Sequence, residues 1–125
     1  MLNLINIFAV MLMPYFWLLL SSFFGVVASI ALKLAAVANS PYGPSLFATE
    51  RIPYYIAAIS AYGAGFFFYA VALRNLDLSI AYPLMVAISI IGVVIYGVFF
   101  GGEAIGAARY IGVIFIAVGI VLLNR

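Results

Sequence analysis

IAYPLMVAISIIGVVIYGVFF, residues 80–100, contains no charged residue. About 20 such residues, rising about 1.5 Å each in a helix, cross the hydrocarbon core of a bilayer. The stretch therefore predicts a membrane-spanning helix, bounded by the polar turn RNLDLS at 74–79 and by the break Gly101-Gly102-Glu103. Working outward, three more segments meet the same test: about Pro14 to Val37, about Ile52 to Leu73 and about Ile105 to Leu123. The cluster Asn39, Ser40, Pro41, Gly43, Pro44 is expected to end the first helix and start a loop. Residues 1–13, MLNLINIFAVMLM, are apolar but too short to span, and lack the basic start and small-residue cleavage site of a secretory signal. They are expected to extend helix one or to lie at the membrane interface. The expected fold is an all-α membrane protein, a four-transmembrane-helix bundle forming a single domain over 1–125.

Composition narrows the function. Of 125 residues, 70% are hydrophobic and only 6% are charged, against about a quarter charged in soluble proteins. There is no cysteine and no histidine, which excludes disulfides, thiol catalysis and the usual zinc ligands. The chain is not expected to be an enzyme, to hold a cofactor or metal, or to bind nucleic acid. Its formal charge of +2 is scattered and forms no polybasic patch. Partners are expected within the membrane: lipid, a small-molecule or lipid-linked substrate, and other subunits. The amino terminus, second loop and carboxyl terminus share one side with Arg74 and Arg125, whereas Lys33, Arg51 and Arg109 lie on the other. That split gives the positive-inside rule little to act on and leaves dual insertion, with an antiparallel homodimer, open.

Helical spacing sorts the polar and small residues into stripes. GVVASIALK, residues 25–33, carries one charge, Lys33, and no acid. Ser22, Gly25, Ser29 and Lys33 follow at steps of three and four and share a face. On helix three, Tyr82, Ser89 and Tyr96 are seven apart, with Met85 and Gly92 beside them. Facing each other, the two stripes would line a partly polar cavity. Membrane serines, however, also bond the carbonyl of the preceding turn, and that reading applies to Ser22, Ser29 and Ser89. Tyr54, Tyr55 and Tyr110 suit interfacial anchoring, Tyr62 and Tyr69 lie too deep for it, and Tyr82 suits either role. An ionisable residue in a membrane segment is costly unless hydrated, paired or snorkelled. Lys33 therefore either snorkels to the headgroups or faces an anionic group such as a phosphate. Glu103 and Arg109 read as solvated loop charges, and Asp77 as the cap of helix three. Gly112 and Gly119, seven apart on helix four, and the pairs Gly97/Gly101 and Gly102/Gly106 have the spacing of helix-packing or dimer contacts.

Four spans in so short a chain, with LDLSIAYP at 76–83, FFGGE at 99–103 and IGVIFIAVGIVLL at 111–123, resemble the small multidrug resistance proteins and the wider drug/metabolite transporter superfamily. Tyr62 and Tyr82 fall where that family keeps pocket tyrosines, and Gly112/Gly119 resemble its dimer helix. The chain departs from the family at the opening of GVVASIALK. The glutamate with which the multidrug proteins bind proton and drug falls on Gly25, their pocket tryptophan on Met85, and their glycine-rich kink on Ala87-Ile88-Ser89. The small subunits of the aminoarabinose-phosphoundecaprenol flippase also lack that acid, and one of them is similar to this chain in Lys33, IAYP at 80–83, the Glu103 turn and the 112–123 pattern.

The resemblance implies a multi-pass carrier or flippase subunit of the bacterial inner membrane, acting on a polyprenyl-phosphate-linked sugar as a homo- or hetero-oligomer. On that reading Lys33 attracts the phosphate, while Ser29, Tyr62, Tyr82 and Ser89 bond sugar hydroxyls. The alternatives are an exporter of small molecules lacking the first-helix glutamate, and a structural subunit of a larger membrane complex.

Overall fold

The computed structural model describes residues 2–37 and 51–125. Four helices account for most of them: α1 (Leu2–Val37), α2 (Ile52–Ala72), α3 (Leu78–Phe99) and α4 (Ala107–Leu123). The expected break at Asn39 to Pro44 and most of the first loop lie outside the described residues. Helices α1, α2 and α3 are long and apolar enough to cross a membrane, and α4, with 17 residues, is shorter. No strand occurs among the described residues.

Of the two readings of residues 1–13, the structure takes the extension: helix one runs unbroken through Pro14 and, with residues 2–13, reaches 36 residues, about 54 Å. A proline deletes one backbone donor and leaves one carbonyl, here that of Val10, without its helical partner. In an apolar stretch with no turn former beside it, every other backbone group still has to be bonded within the helix. The side chain of Pro14 is buried, whereas those of residues 3–13 are exposed.

Helix α1 is the common wall of the bundle, packed along α2 and, over a shorter length, along α3. In lipid the hydrophobic effect does not draw helices together, so close backbone approach and interhelical hydrogen bonds must. The buried residues fit that rule: Ala28, Ala31 and Ala35 on α1, and Ala58, Ala61, Gly65 and Ala72 on α2. At the closest point the Ser21 hydroxyl donates to the Gly65 carbonyl at 2.8 Å. A Cβ on Gly65 would lie 3.2 Å from the Ser21 carbonyl oxygen. Phe68 is stacked between Trp17 and Phe24, both centroid distances being 5.5 Å, which fixes the register of the two helices.

Against α3, the Ser22 hydroxyl donates to Leu18 O at 2.9 Å and reaches Met85 O at 3.2 Å. One level along, Val26 occupies the space left by Gly92, where a Cβ would meet it at 2.8 Å. Leu18, Ala72 and Ala81 close the end of the bundle near the α2–α3 turn. Asp77 stands at the N-cap of α3, as expected, but its side chain makes no capping bond. Its main-chain carbonyl accepts from Ile80 and Ala81 at 3.1 and 2.9 Å.

Helix α4 packs on α3 and has no buried residue. Gly112 and Gly119 face open space, with nothing within 4 Å of a built Cβ. Gly97 and Gly101 lie within one turn of chain. Gly102, at φ +64°, turns the backbone after α3 so that the Glu103 amide returns to the Gly97 carbonyl at 2.9 Å.

Gly65→Val is expected to push α1 from α2 and cost about 1–3 kcal/mol, as overpacking does. Gly25→Ala, whose Cβ would sit in ordinary contact 3.6 Å from Ser89 Oγ, is expected to stay within about 0.5 kcal/mol. Thermal unfolding in detergent, followed through the single tryptophan Trp17, compares the two.

Candidate functional site

Between α1, α2 and α3 lies a cavity of about 660 Å³. Helix α1 contributes Ser21, Gly25 and Ser29, helix α3 contributes Tyr82, Met85 and Ser89, and helix α2 contributes Tyr62, Phe66 and Tyr69 with the glycines between them. Four of the five expected substrate-binding residues, Ser29, Tyr62, Tyr82 and Ser89, therefore share one wall system. The cavity opens sideways: Tyr62 and Tyr82 retain 46% and 54% of their surface.

The hydrogen bonds determine what this cavity can offer a ligand. Ser29 and Ser89 each donate their single proton to the carbonyl one turn back, Gly25 O and Met85 O, both at 2.9 Å. Ser21 spends its proton on Gly65 and touches Met85 Sδ at 3.3 Å. The packing role expected of membrane serines thus holds for Ser22, Ser29 and Ser89, and it does not remove Ser29 and Ser89 from the cavity. A hydroxyl that has donated still has lone pairs, so these serines present acceptors. Tyr62 OH lies 3.3 Å from Ser29 Oγ, and because the serine proton is already committed, the tyrosine is the donor. Tyr69 packs edge-on to Tyr82 at 6.5 Å. Its hydroxyl is buried and has no hydrogen-bond partner among the described residues, which leaves a donor and an acceptor for a guest. No charged residue lines this cavity. At Gly25 the wall has space rather than a carboxylate.

Lys33, the fifth expected residue, lies elsewhere. It is exposed and lines a second cavity, of about 280 Å³, between the end of α1 and the end of α3. Its neighbours there include Val93, Tyr96, Gly97 and Glu103, and Ser29 belongs to both cavities. Glu103 is exposed in the turn after α3, as expected of a solvated loop charge. Its carboxylate folds onto Gly97, with Oε2 2.9 Å from where a Cβ would stand. A third, apolar groove of about 430 Å³ runs between α3 and α4 and includes Pro83 and Gly119.

The helical stripe drawn through Ser22, Gly25 and Ser29 passes over Ser21, whose bond joins α1 to α2. Tyr69 of α2, read as too deep for anchoring, is not among the expected substrate-binding residues, although it follows Tyr62 by seven residues and so shares its face.

The sequence comparisons agree with this architecture. The family description "Small Multidrug Resistance protein" matches residues 13–116. The chain is 33% identical over 112 residues to a probable 4-amino-4-deoxy-L-arabinose-phosphoundecaprenol flippase subunit, ArnE, of Proteus mirabilis, covering 90% of this chain and 97% of that protein. It is 31% identical over 88 residues to an uncharacterised protein, y4nH, of Sinorhizobium fredii, covering 70% of this chain and 75% of that one.

Proposed function

The chain belongs to the small multidrug resistance family, and from that premise we propose that it is a flippase subunit that moves a polyprenyl-phosphate-linked sugar across the bacterial inner membrane. It is a multi-pass inner-membrane transporter by family, and what distinguishes the lipid-linked sugar from a drug is the chemistry of its cavity. The observation that carries the reading is a carboxylate-free cavity, mostly apolar but carrying serine and tyrosine hydroxyls, that shares Ser29 with a cavity bearing Lys33. Tyr69 and Tyr82 as donors and Ser89 as an acceptor suit the hydroxyls of a sugar, each of which both donates and accepts. A cationic drug would find no counter-charge in the larger cavity. About 660 Å³ is a ligand-sized space, too small for a polyprenyl chain as well, so the tail stays in lipid through the lateral opening. Lys33, exposed one turn beyond Ser29, is positioned for the phosphate as a point charge on a flexible stem.

Three helices around an open cavity leave the transport path incomplete, and the unpacked glycine stripe of α4 supplies a contact for a second subunit. Small residues on an exposed membrane helix allow another helix to approach closely. Gly112 and Gly119 carry this role in the proposal, whereas Gly97 and Gly101 shape the turn after α3 as well.

Lys33→Met is expected to slow sugar-lipid transfer in proteoliposomes by about tenfold or more, the worth of a charge-assisted hydrogen bond, with the fold intact by circular dichroism. Unchanged transfer would remove the lysine from the mechanism. Gly119→Ala adds a Cβ that meets nothing within 4 Å. It is therefore expected to leave unfolding unchanged while lowering the oligomeric mass seen by cross-linking in membranes.

A further inference from the structure

One buried hydroxyl of the larger cavity is left over. Ser21, Ser29 and Ser89 donate to the carbonyls of Gly65, Gly25 and Met85, and Tyr62 donates to Ser29. The Tyr69 hydroxyl is buried and has no partner among the described residues. Inside a bilayer such a group carries its full desolvation penalty, because no bulk water is at hand to bond it. The ring is held in place, packed on the cluster of Leu18, Ala72 and Ala81 and edge-on to Tyr82 at 6.5 Å. A phenylalanine would keep each of these ring contacts without the penalty, so packing does not account for the oxygen. Tyr82 is the side of this arrangement with room to move. It retains 54% of its surface and lines both the larger cavity and the groove between α3 and α4.

From this arrangement we infer that Tyr69 is a specificity-determining residue, whose hydroxyl is held unpaired in the empty protein, at a cost in stability, as the donor for a neutral oxygen of the guest. The inference rests on the flippase reading and adds to it a division of roles between the two cavities. Lys33, in the smaller one, meets the phosphate that any polyprenyl-phosphate lipid carries. Tyr69, in the larger and uncharged one, distinguishes a lipid whose phosphate bears a hydroxylated group from one whose phosphate is bare. A site built to bond a hydroxyl rejects the analogue that lacks it, because the buried donor then stays unpaired. The guest reaches the Tyr69 hydroxyl as Tyr82 turns toward the α3–α4 groove. Binding thus supplies the hydrogen bond that the empty fold forgoes, a trade of stability for function.

The test uses Tyr69→Phe on the full chain in nanodiscs, first without ligand. The variant is expected to unfold at a higher temperature than the native protein, because it loses the unpaired oxygen and keeps the ring. Tyr62→Phe, which removes a hydroxyl already bonded to Ser29 at 3.3 Å, is not expected to do so. An unchanged or lower unfolding temperature for Tyr69→Phe would show that its hydroxyl already has a partner, and an equal rise in both variants would show a gain from apolarity alone. Either result would overturn the proposal. The second arm measures binding of undecaprenyl phosphate carrying a pentose and of bare undecaprenyl phosphate. The native protein is expected to bind the pentose lipid about tenfold more tightly, and Tyr69→Phe to lose most of that preference while binding the bare lipid as before. A preference that survives Tyr69→Phe would overturn the role of Tyr69 and leave the flippase reading standing. Failure of the native protein to bind either lipid would overturn both.

Discussion

Everything in this bundle depends on how closely α1 approaches its neighbours. Lipid offers no hydrophobic gain for bringing helices together, so contact has to come from shape and from polar groups that find partners across the interface. The alanines of α1 and α2 provide the shape, and Ser21 on Gly65 O provides the bond. The Trp17–Phe68–Phe24 stack then sets the register. Because α1 touches both α2 and α3, this seam also positions the two sets of side chains that face each other across the larger cavity. Gly25 opposite Ser89 and Gly92 against Val26 keep α3 close beyond it.

The electrostatics divide along the same helix. The larger cavity is mostly apolar, with a few hydroxyls, a sulfur and no formal charge, and the smaller one, at the ends of α1 and α3, holds Lys33 and Glu103. Such a division is economical in a membrane, where a charge placed deep costs several kcal/mol and one near a helix end can reach water or headgroups. The carboxylate of the smaller cavity comes from the turn after α3 and not from the first helix.

Much of the fold was legible because apolar length is a direct physical requirement of a bilayer. The runs at 52–73 and 80–100 match α2 and α3 to within two residues at each end. The extension of α1 through residues 2–13 was one of two readings left open, and it holds because a single missing donor does not end a helix whose surroundings offer the backbone no other partner. The gathering of Ser29, Tyr62, Tyr82 and Ser89 followed from helical spacing and from family resemblance. Ser21 escaped notice because one helix face was taken to be the functional one, while α1 uses two. The exposed turn position of Glu103 was legible, but the approach of its carboxylate to Gly97 was not. It depends on the positive φ of Gly102 and on the space at Gly97, which depend on three-dimensional path rather than on residue spacing.

The central claim is that this small transporter handles an anionic lipid-linked sugar rather than a cationic drug. The most direct measurement is native mass spectrometry of the detergent-purified protein offered an undecaprenyl-phosphate-linked amino sugar and, in competition, a quaternary ammonium compound. The account predicts an oligomer that retains the sugar lipid and releases the ammonium compound. Retention of the ammonium compound with no sugar lipid bound would contradict it.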